Sequence, residues 1–357
     1  MTQWRDGITG VTNLNYLGGI ERLLLRFLII IMNNQEAWLM NFSENNDVKI
    51  KDGVVLIDQV PVGLILPSAI FSDVANEIGI VGRNGVVQNK SKSQEIFYQS
   101  MIDAGAICFG TPEEIVKSQL LLKDPVTSRT ASYFLACSGS CTKLVDYYKN
   151  IRKSKVLIVG CGGIGSLVAI NLCGAGINDI HLVDHDKIES TNLNRQFFWT
   201  RKDIGRFKCD TLEEVIESRY FGINIKKTLS KITPETLHNF GKDYDAVVVS
   251  ADEPLGIKKY IRDYFDSLVI NTGYIHSDVY YTRLGKLNGD TPTSIWKRNP
   301  WFIGPSFGPV NTEIAGVVSS LIIGHICGIL AESDHMEEYW NSMSFPRHSG
   351  GKVFKNG

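Results

Sequence analysis

Asp184, Asp186, Asn192, Arg195, Lys208 and Asp252 follow one another through the middle of the sequence, and their types suit work on a phosphate chain. Arginine and lysine can hold a triphosphate and stabilise the charge that develops on leaving pyrophosphate. Asp252, at the end of the apolar run in "VVVSADEP", stands just past a strand, on the ligand-binding edge of an α/β sheet. A carboxylate there can hold Mg²⁺ against the phosphates. Upstream, Gly160, Gly162, Gly163 and Gly165 in "VLIVGCGGIG" make the glycine turn that brings backbone close to phosphates and aims a helix N-terminus at them. Asp184 ends the next apolar run, where a carboxylate accepts hydrogen bonds from ribose hydroxyls. The glycines alone serve NAD in hydride transfer and ATP in making an acyl adenylate equally well. The segment "DHDKIESTNLNRQ", with Lys208 following in "DIGRFKCD", separates the two. Hydride transfer needs nothing special after the ribose acid, whereas a triphosphate needs cations.

A sheet must position these residues. From residue 151 onward, apolar runs alternate with helical patterns. "KVLIVG", "DIHLVD", "INIKKTLSKI", "YDAVVVSAD" and "SLVINTGY" read as strands; "GSLVAINLCGAG", "KCDTLEEVIESRY", "TPETLHNF" and "PLGIKKYIRDYF" read as helices. The alternation predicts a Rossmann-like, mostly parallel α/β sheet covered on both faces, over 151–357. "DVYYTRLGKL" adds an antiparallel edge, and "NTEIAGVVSSLIIGHICGIL" a mostly apolar helix, buried or at a subunit interface. The texture before this is different. A hairpin is expected around Asp52-Gly53, a helix over "SAIFSDVANEIGI" ending at Gly79, and a mobile stretch at "RNGVVQNKSKS". Two more helices, "SQEIFYQSMIDAGAI" and "TPEEIVKSQLLL", follow, the second capped by Thr111-Pro112. Residues 1–110 therefore form a small α+β domain, and 111–150, with "KDPVTSRTASYFLACSGS", a linker and helix.

"GCGGIG", "VDHDKIESTNLNRQ", Lys208 and "SADEP" together resemble the adenylating enzymes related to ubiquitin-activating enzyme, the ThiF/MoeB type. "VVVSADEP", "INTGYIHSDV" and "FGPVNTEIAG" are similar to the peptide-modifying branch, which matures the microcin C and pantocin A precursors. The resemblance covers roughly residues 155 to 330. It implies that Asp184 holds the ribose, that Arg195 and Lys208 hold the phosphates with Asn192 in support, and that Asp252 takes magnesium. It further implies a homodimer in which an arginine upstream of the first strand reaches the neighbour's phosphates; Arg129 in "VTSRTASYF" is that arginine, or else a linker salt-bridge residue. The first domain resembles a winged-helix-like clamp for a precursor's leader; the alternative is that it only buttresses the sheet. The family's two CxxC zinc pairs are missing, so no zinc is expected. The stretch after the fifth strand also lacks the thiol of the sulfur-transferring members, since no cysteine lies between Cys209 and Cys327. The activated acyl group is then captured within the peptide itself, as a cyclised or condensed product of, for example, adjacent glutamates. His276, beside Tyr274, is either a general base or a hydrogen-bonded loop histidine. Trp296, Trp301, Phe302 and Phe307 line a peptide groove or seal a dimer.

Composition narrows the partners. Lys and Arg total 37 against 38 Asp and Glu, for a net charge of -1, which gives no general pull toward nucleic acid or anionic membrane. The longest early apolar run, "LLLRFLIIIM" at 23–32, contains Arg26 and is too short to span a bilayer. No cleavable leader is apparent, and seven scattered cysteines fit a reducing cytoplasm. An adenylating enzyme for a sulfur-carrier protein or a tRNA base is the nearest alternative; an NAD-dependent dehydrogenase is the alternative of another class.

Overall fold

The computed structural model describes residues 48–74, 77–90, 93–251, 253–254, 256–275, 278–282, 300–330, 336–344 and 349–353. The apolar run at 23–32 lies outside them. The chain divides into two compact units, Met1–Leu144 and Val145–Gly357.

In the first unit, β1 (Val48–Lys51) and β2 (Val54–Ile57) form the expected hairpin. Asp52 and Gly53 both take positive φ, 51° and 76°, as a two-residue turn matched to strand twist requires. A second such turn, Asp58-Gln59, leads into β3 (Val60–Ile65). With β7 (Ile107–Phe109) these strands make a four-stranded antiparallel sheet in the order β1-β2-β3-β7.

The stretch expected as a helix at "SAIFSDVANEIGI" is instead β4 (Ile70–Val74) and the start of β5 (Glu77–Gly82). Its apolar residues alternate across a sheet, with Ile80 fully buried and Val81 exposed. Gly79 is no helix cap; it lies mid-strand opposite Ser72, whose Oγ occupies the space a Cβ would need. The supposedly mobile "RNGVVQNKSKS" supplies β6 (Gly85–Asn89), which pairs antiparallel with β5. Helix α1 (Gln94–Asp103), capped by the Ser93 hydroxyl, buries Met101 with Val55, Ile80, Ala104 and Ile107. Helix α2 (Pro112–Lys123) opens on Thr111, whose side chain and that of Glu114 make a reciprocal capping box. The expected linker holds a further helix, α3 (Ser128–Ser138), because Ala131, Phe134 and Leu135 bury one face. It stops at Gly139, in the left-handed conformation (φ 65°).

Helix α4 (Cys141–Lys153) contains the division between the units and precedes the large sheet. Five parallel strands, β8 (Lys155–Val159), β9 (Asp179–Val183), β10 (Asn224–Thr228), β11 (Ala246–Val249) and β12 (Leu268–Ile275), run in the order β10-β9-β8-β11-β12. Antiparallel β13 (Asp278–Thr282), β14 (Met336–Asn341) and β15 (Ser349–Val353) extend it. This is a Rossmann-like sheet. β13 pairs on both sides, so it is an interior strand and not the edge expected of "DVYYTRLGKL". "TPETLHNF" shrinks to a short 3₁₀ turn, Leu237–Asn239, which buries Leu237 against the sheet.

Helices α5 (Gly165–Ala175), α6 (Lys208–Glu217), α7 (Ile257–Tyr264) and α8 (Gly308–Ile326) accompany the sheet. The strands are apolar throughout: Val156, Leu157 and Ile158 are wholly buried in β8, as are Val247, Val248 and Val249 in β11. On one face, Ile257, Ile261 and Phe265 cover Leu157, Val159, Val247, Val249 and Val269. The chain leaves β8 in one direction for β9 and β10, then returns to its other side for β11. Between those two departures the crevice at the strand ends opens, which is where α/β sheets take ligands. Among the described residues no helix is long and apolar enough to cross a membrane.

Candidate nucleotide site

The glycine turn sits in that crevice, and each glycine has its own reason. Gly160 takes φ 92°, and a Cβ on it would press on Ala251 N at 2.8 Å. Gly165 starts α5 directly against the carbonyl oxygen of Gly160, leaving no room for a side chain. Gly163 is filled by the Asn311 carboxamide from α8. Gly162 differs: the nearest atom to a Cβ there is Gln196 Nε2 at 3.5 Å, an ordinary contact. It is the open face of the turn, where phosphate oxygens can approach backbone. In the first turn of α5, Ser166 donates its backbone N–H back to the Gly162 carbonyl at 3.1 Å, which closes the turn onto the helix.

Asp184 is fastened to this turn. Its Oδ2 accepts from Cys161 N at 2.7 Å and its Oδ1 from Asp186 N at 2.8 Å, and the residue is 9% exposed. The carboxylate thus ties the end of β9 to the loop after β8. Lys208, the first residue of α6, is held at both ends by Asp186. Its backbone N–H donates to the Asp186 carbonyl at 3.1 Å, and its Nζ to Asp186 Oδ2 at 2.8 Å. The lysine side chain is 8% exposed and the aspartate 51%. Burial works to raise the Asp186 carboxyl, but the hydrogen bond and charge of Lys208 outweigh it and hold the group below its usual range.

The segment between them is a compact turn. Buried Asn192 closes a 3₁₀ turn, Ser190–Asn192, by accepting from Glu189 N at 3.1 Å. Arg195 anchors Nη1 on Thr191 O at 2.7 Å and on Asn194 Oδ1 at 2.9 Å. Gln196, 4% exposed, receives the Trp199 indole N–H on Oε1 at 2.6 Å, which places its Nε2 against Gly162. The structure therefore brings Gly160, Gly162, Gly163, Gly165, Asp184, Asp186, Asn192 and Lys208 into one region with Arg195 on its loop.

Asp184, His185 and Asp186 offer three ligand atoms within 4.8 Å of one another. The Lys208 ammonium on Asp186 opposes a divalent cation here by its charge, and Asp184 already accepts from two backbone N–H groups. Asp252, His276 and Trp296 lie outside the described residues. Tyr274 is in β12, and Trp301, Phe302 and Phe307 are exposed. Arg129 is in the first turn of α3, in the first unit, with an exposed side chain.

Gln196 is among the residues that the sequence points to after the ribose acid, whereas sequence reasoning passed over Ser250 and Asn311. Ser250 donates from Oγ to Gly160 O at 2.9 Å and fixes the glycine turn to the end of β11. Its signal was present in "SADEP", just ahead of the aspartate. Cys161, inside the turn, is wholly buried with its Sγ 3.7 Å from that of Cys209, and this contact together with burial pushes its thiol well up. Burial likewise pushes Cys108, Cys173 and Cys327 to about 12.

A five-stranded parallel sheet with this glycine turn in its crevice defines a Rossmann-like fold of the nucleotide-binding type. The chain belongs to the ThiF family, whose model matches residues 142–343. It is similar to the adenylyltransferase and sulfurtransferase UBA4 of Candida glabrata, 35% identical over 105 residues, or 29% of this chain and 24% of that protein. It is also similar to the NEDD8-activating enzyme E1 catalytic subunit of Dictyostelium discoideum, 32% identical over 131 residues, 35% of this chain and 28% of that one. The chain spans about a quarter of the length of these curated relatives. Among solved structures, E. coli MccB with ATP superposes with a TM-score of 0.64 at 19% identity, covering 83% of this chain and 98% of that one. PaaA gives 0.54 at 16% identity, covering 81% and 99%. Both likenesses are of fold.

Proposed function

We propose that this chain is an ATP- and Mg²⁺-dependent enzyme that adenylates a carboxylate on a ribosomally made precursor peptide. A carboxylate oxygen attacks the α-phosphorus of ATP, the bond to the bridging oxygen breaks, and acyl-adenylate and pyrophosphate form. The observation that carries the reading is the pairing of an open glycine turn with a buried lysine held by Asp186. In this reading the backbone at Gly162 and the start of α5 cradle the phosphates, Asp184 takes the ribose, and Arg195 and Lys208 stabilise charge on the leaving pyrophosphate. Lys208 needs only to turn from Asp186 toward the nucleotide. Magnesium, which supplies charge neutralisation when bound, falls to Asp252. Positioning and preorganised charge do most of the work in such a transfer.

The peptide branch is favoured by the likeness of fold to MccB and PaaA, which extends over more than four-fifths of this chain. The first unit, with its two antiparallel sheets, supplies strand edges to which a leader can add by main-chain pairing. The acyl group is then captured within the peptide, with His276 as candidate base. Two subunits share the work if Arg129 reaches a neighbour's phosphates.

The second reading, activation of a sulfur-carrier protein, is favoured by the sequence likeness to UBA4. Against its transfer step stands the placement of the thiols: six of the seven are buried, and the exposed one, Cys137, is on α3 in the first unit. Pyrophosphate release from ATP, measured with acidic precursor peptides and with a carrier protein ending in Gly-Gly, separates the two. Release with peptide alone supports the proposal; release with the carrier alone replaces it; release with neither removes adenylation.

A further inference from the structure

Asn271 stands at the end of the parallel sheet with a carbonyl oxygen that nothing fills. It is 8% exposed, and its Oδ1 has no hydrogen-bond partner. In register it is level with Val249 of β11, which is level with Val159 of β8. It therefore lies in the row of strand ends from which the glycine turn departs, two strands away from it and next to the strand that carries Ser250. By alternation it shares a face with Val269, which packs against Ile257 and Ile261 of α7. Lys258, in the first turn of that helix, donates from Nζ to the carbonyl oxygen of the next residue, Thr272, at 3.0 Å. Lys258 thus brings a cation to the residue that follows the unfilled acceptor, midway along β12.

Buried acceptors are almost always paired, and one left unpaired weakens the fold. Such a group at the ligand edge of an α/β sheet has a use when a ligand supplies the missing donor. An acceptor beside a cation suits a substrate that carries an N–H close to a negative charge. A peptide carboxylate with a neighbouring amide has both.

We infer that Asn271 is a substrate-binding residue of the acyl site. Its Oδ1 accepts the amide N–H adjacent to the carboxylate to be activated, and Lys258 supplies the nearby positive charge. The substrate class is therefore a peptidic acid, not a simple fatty or aromatic one. This rests on the adenylation reading, and the test keeps the two apart. Asn271→Leu, with the same branching though a larger side chain, removes the unfilled acceptor, and it should melt about 2–4 °C above wild type. Its KM should rise roughly tenfold for whichever of two hexapeptides, one ending in Gly-Gly and one containing Glu-Glu, the wild type adenylates, with ATP affinity unchanged. Wild type given the ester analogue, with oxygen in place of that amide N–H, should show the same rise without any substitution. A melting temperature at or below wild type overturns the proposal, as does an equal KM for amide and ester. Pyrophosphate from neither hexapeptide would count against the adenylation reading instead, and the melting comparison would then decide Asn271 alone.

Discussion

His181, in the middle of β9, should make the sheet unit acid-sensitive. It is 1% exposed, with Nδ1 2.6 Å from the Tyr244 hydroxyl and Nε2 2.8 Å from Thr228 Oγ1. Its ring stacks on Phe240 with centroids 5.6 Å apart. Two hydroxyls satisfy either neutral tautomer, one accepting and one donating. The charges that act on a second proton here are positive, those of Lys226 on β10 and Lys155 on β8. Burial first, and those two ammonium groups after it, lower the imidazole to about 4. The unfolded chain holds its histidine at about 6.5. Between these values the unfolded state binds the extra proton, so the contribution of His181 is complete above about 6.5 and is lost as pH falls toward 4. At about 1.4 kcal/mol per pKa unit, the full loss is roughly 3 kcal/mol, most of it incurred by pH 4.5. His181→Gln retains hydrogen-bonding capacity and cannot titrate. Urea unfolding of both proteins at steps from pH 7 to 4.5 is the assay, since shared carboxylates cancel in the difference. Wild type should lose roughly 2–3 kcal/mol relative to the variant across that range. Parallel stability curves for the two proteins would refute the reasoning.

Three further outcomes follow from the nucleotide site. Gly165→Ala should destabilise the fold by about 3 kcal/mol or more, because its Cβ meets the carbonyl oxygen of Gly160, whereas Gly162→Ala should fold with nearly wild-type stability and lose ATP affinity; calorimetry and nucleotide titration on both variants check the contrast. Lys208→Ala should lower the rate of pyrophosphate release by about 10²–10³-fold with ATP affinity changed far less, read from single-turnover kinetics. Asp184→Ala removes the acceptor for Cys161 N and Asp186 N, and should cost about 1–3 kcal/mol in urea unfolding as well as nucleotide binding.

Much of the site was legible because its parts depend on residue type at fixed spacing. A glycine turn can be read from the glycines, since Gly160 needs a positive φ and Gly165 needs close backbone approach. Asp184 and Lys208 could be placed because the end of β9 and the start of α6 are marked by pattern breaks. The first unit was harder. "SAIFSDVANEIGI" carries apolar residues at spacings that satisfy a helix and two short strands alike, and the ladder partners that decide are β5 and β6 themselves. Local periodicity holds no information about which segment will lie alongside. The helix α3 was hidden for the opposite reason: polar residues and a proline around it read as linker, while three buried side chains suffice to form it.

Asn271 marks where sequence reading stops in principle. Asparagine near a strand end is common, and nothing in "VINTGY" distinguishes a satisfied carboxamide from an unfilled one. The distinction is made by what fails to reach Oδ1, and that depends on β11, β12 and α7 packing together. The same holds for Asp186. As a sequence feature it is one acid among several in "VDHDKIES", and only the fold shows it holding both the backbone and the ammonium of Lys208. Residues that touch a ligand through a repeated backbone device announce themselves by type and spacing. Residues that prepare other side chains, or wait for a substrate's donor, are defined by partners distant in sequence.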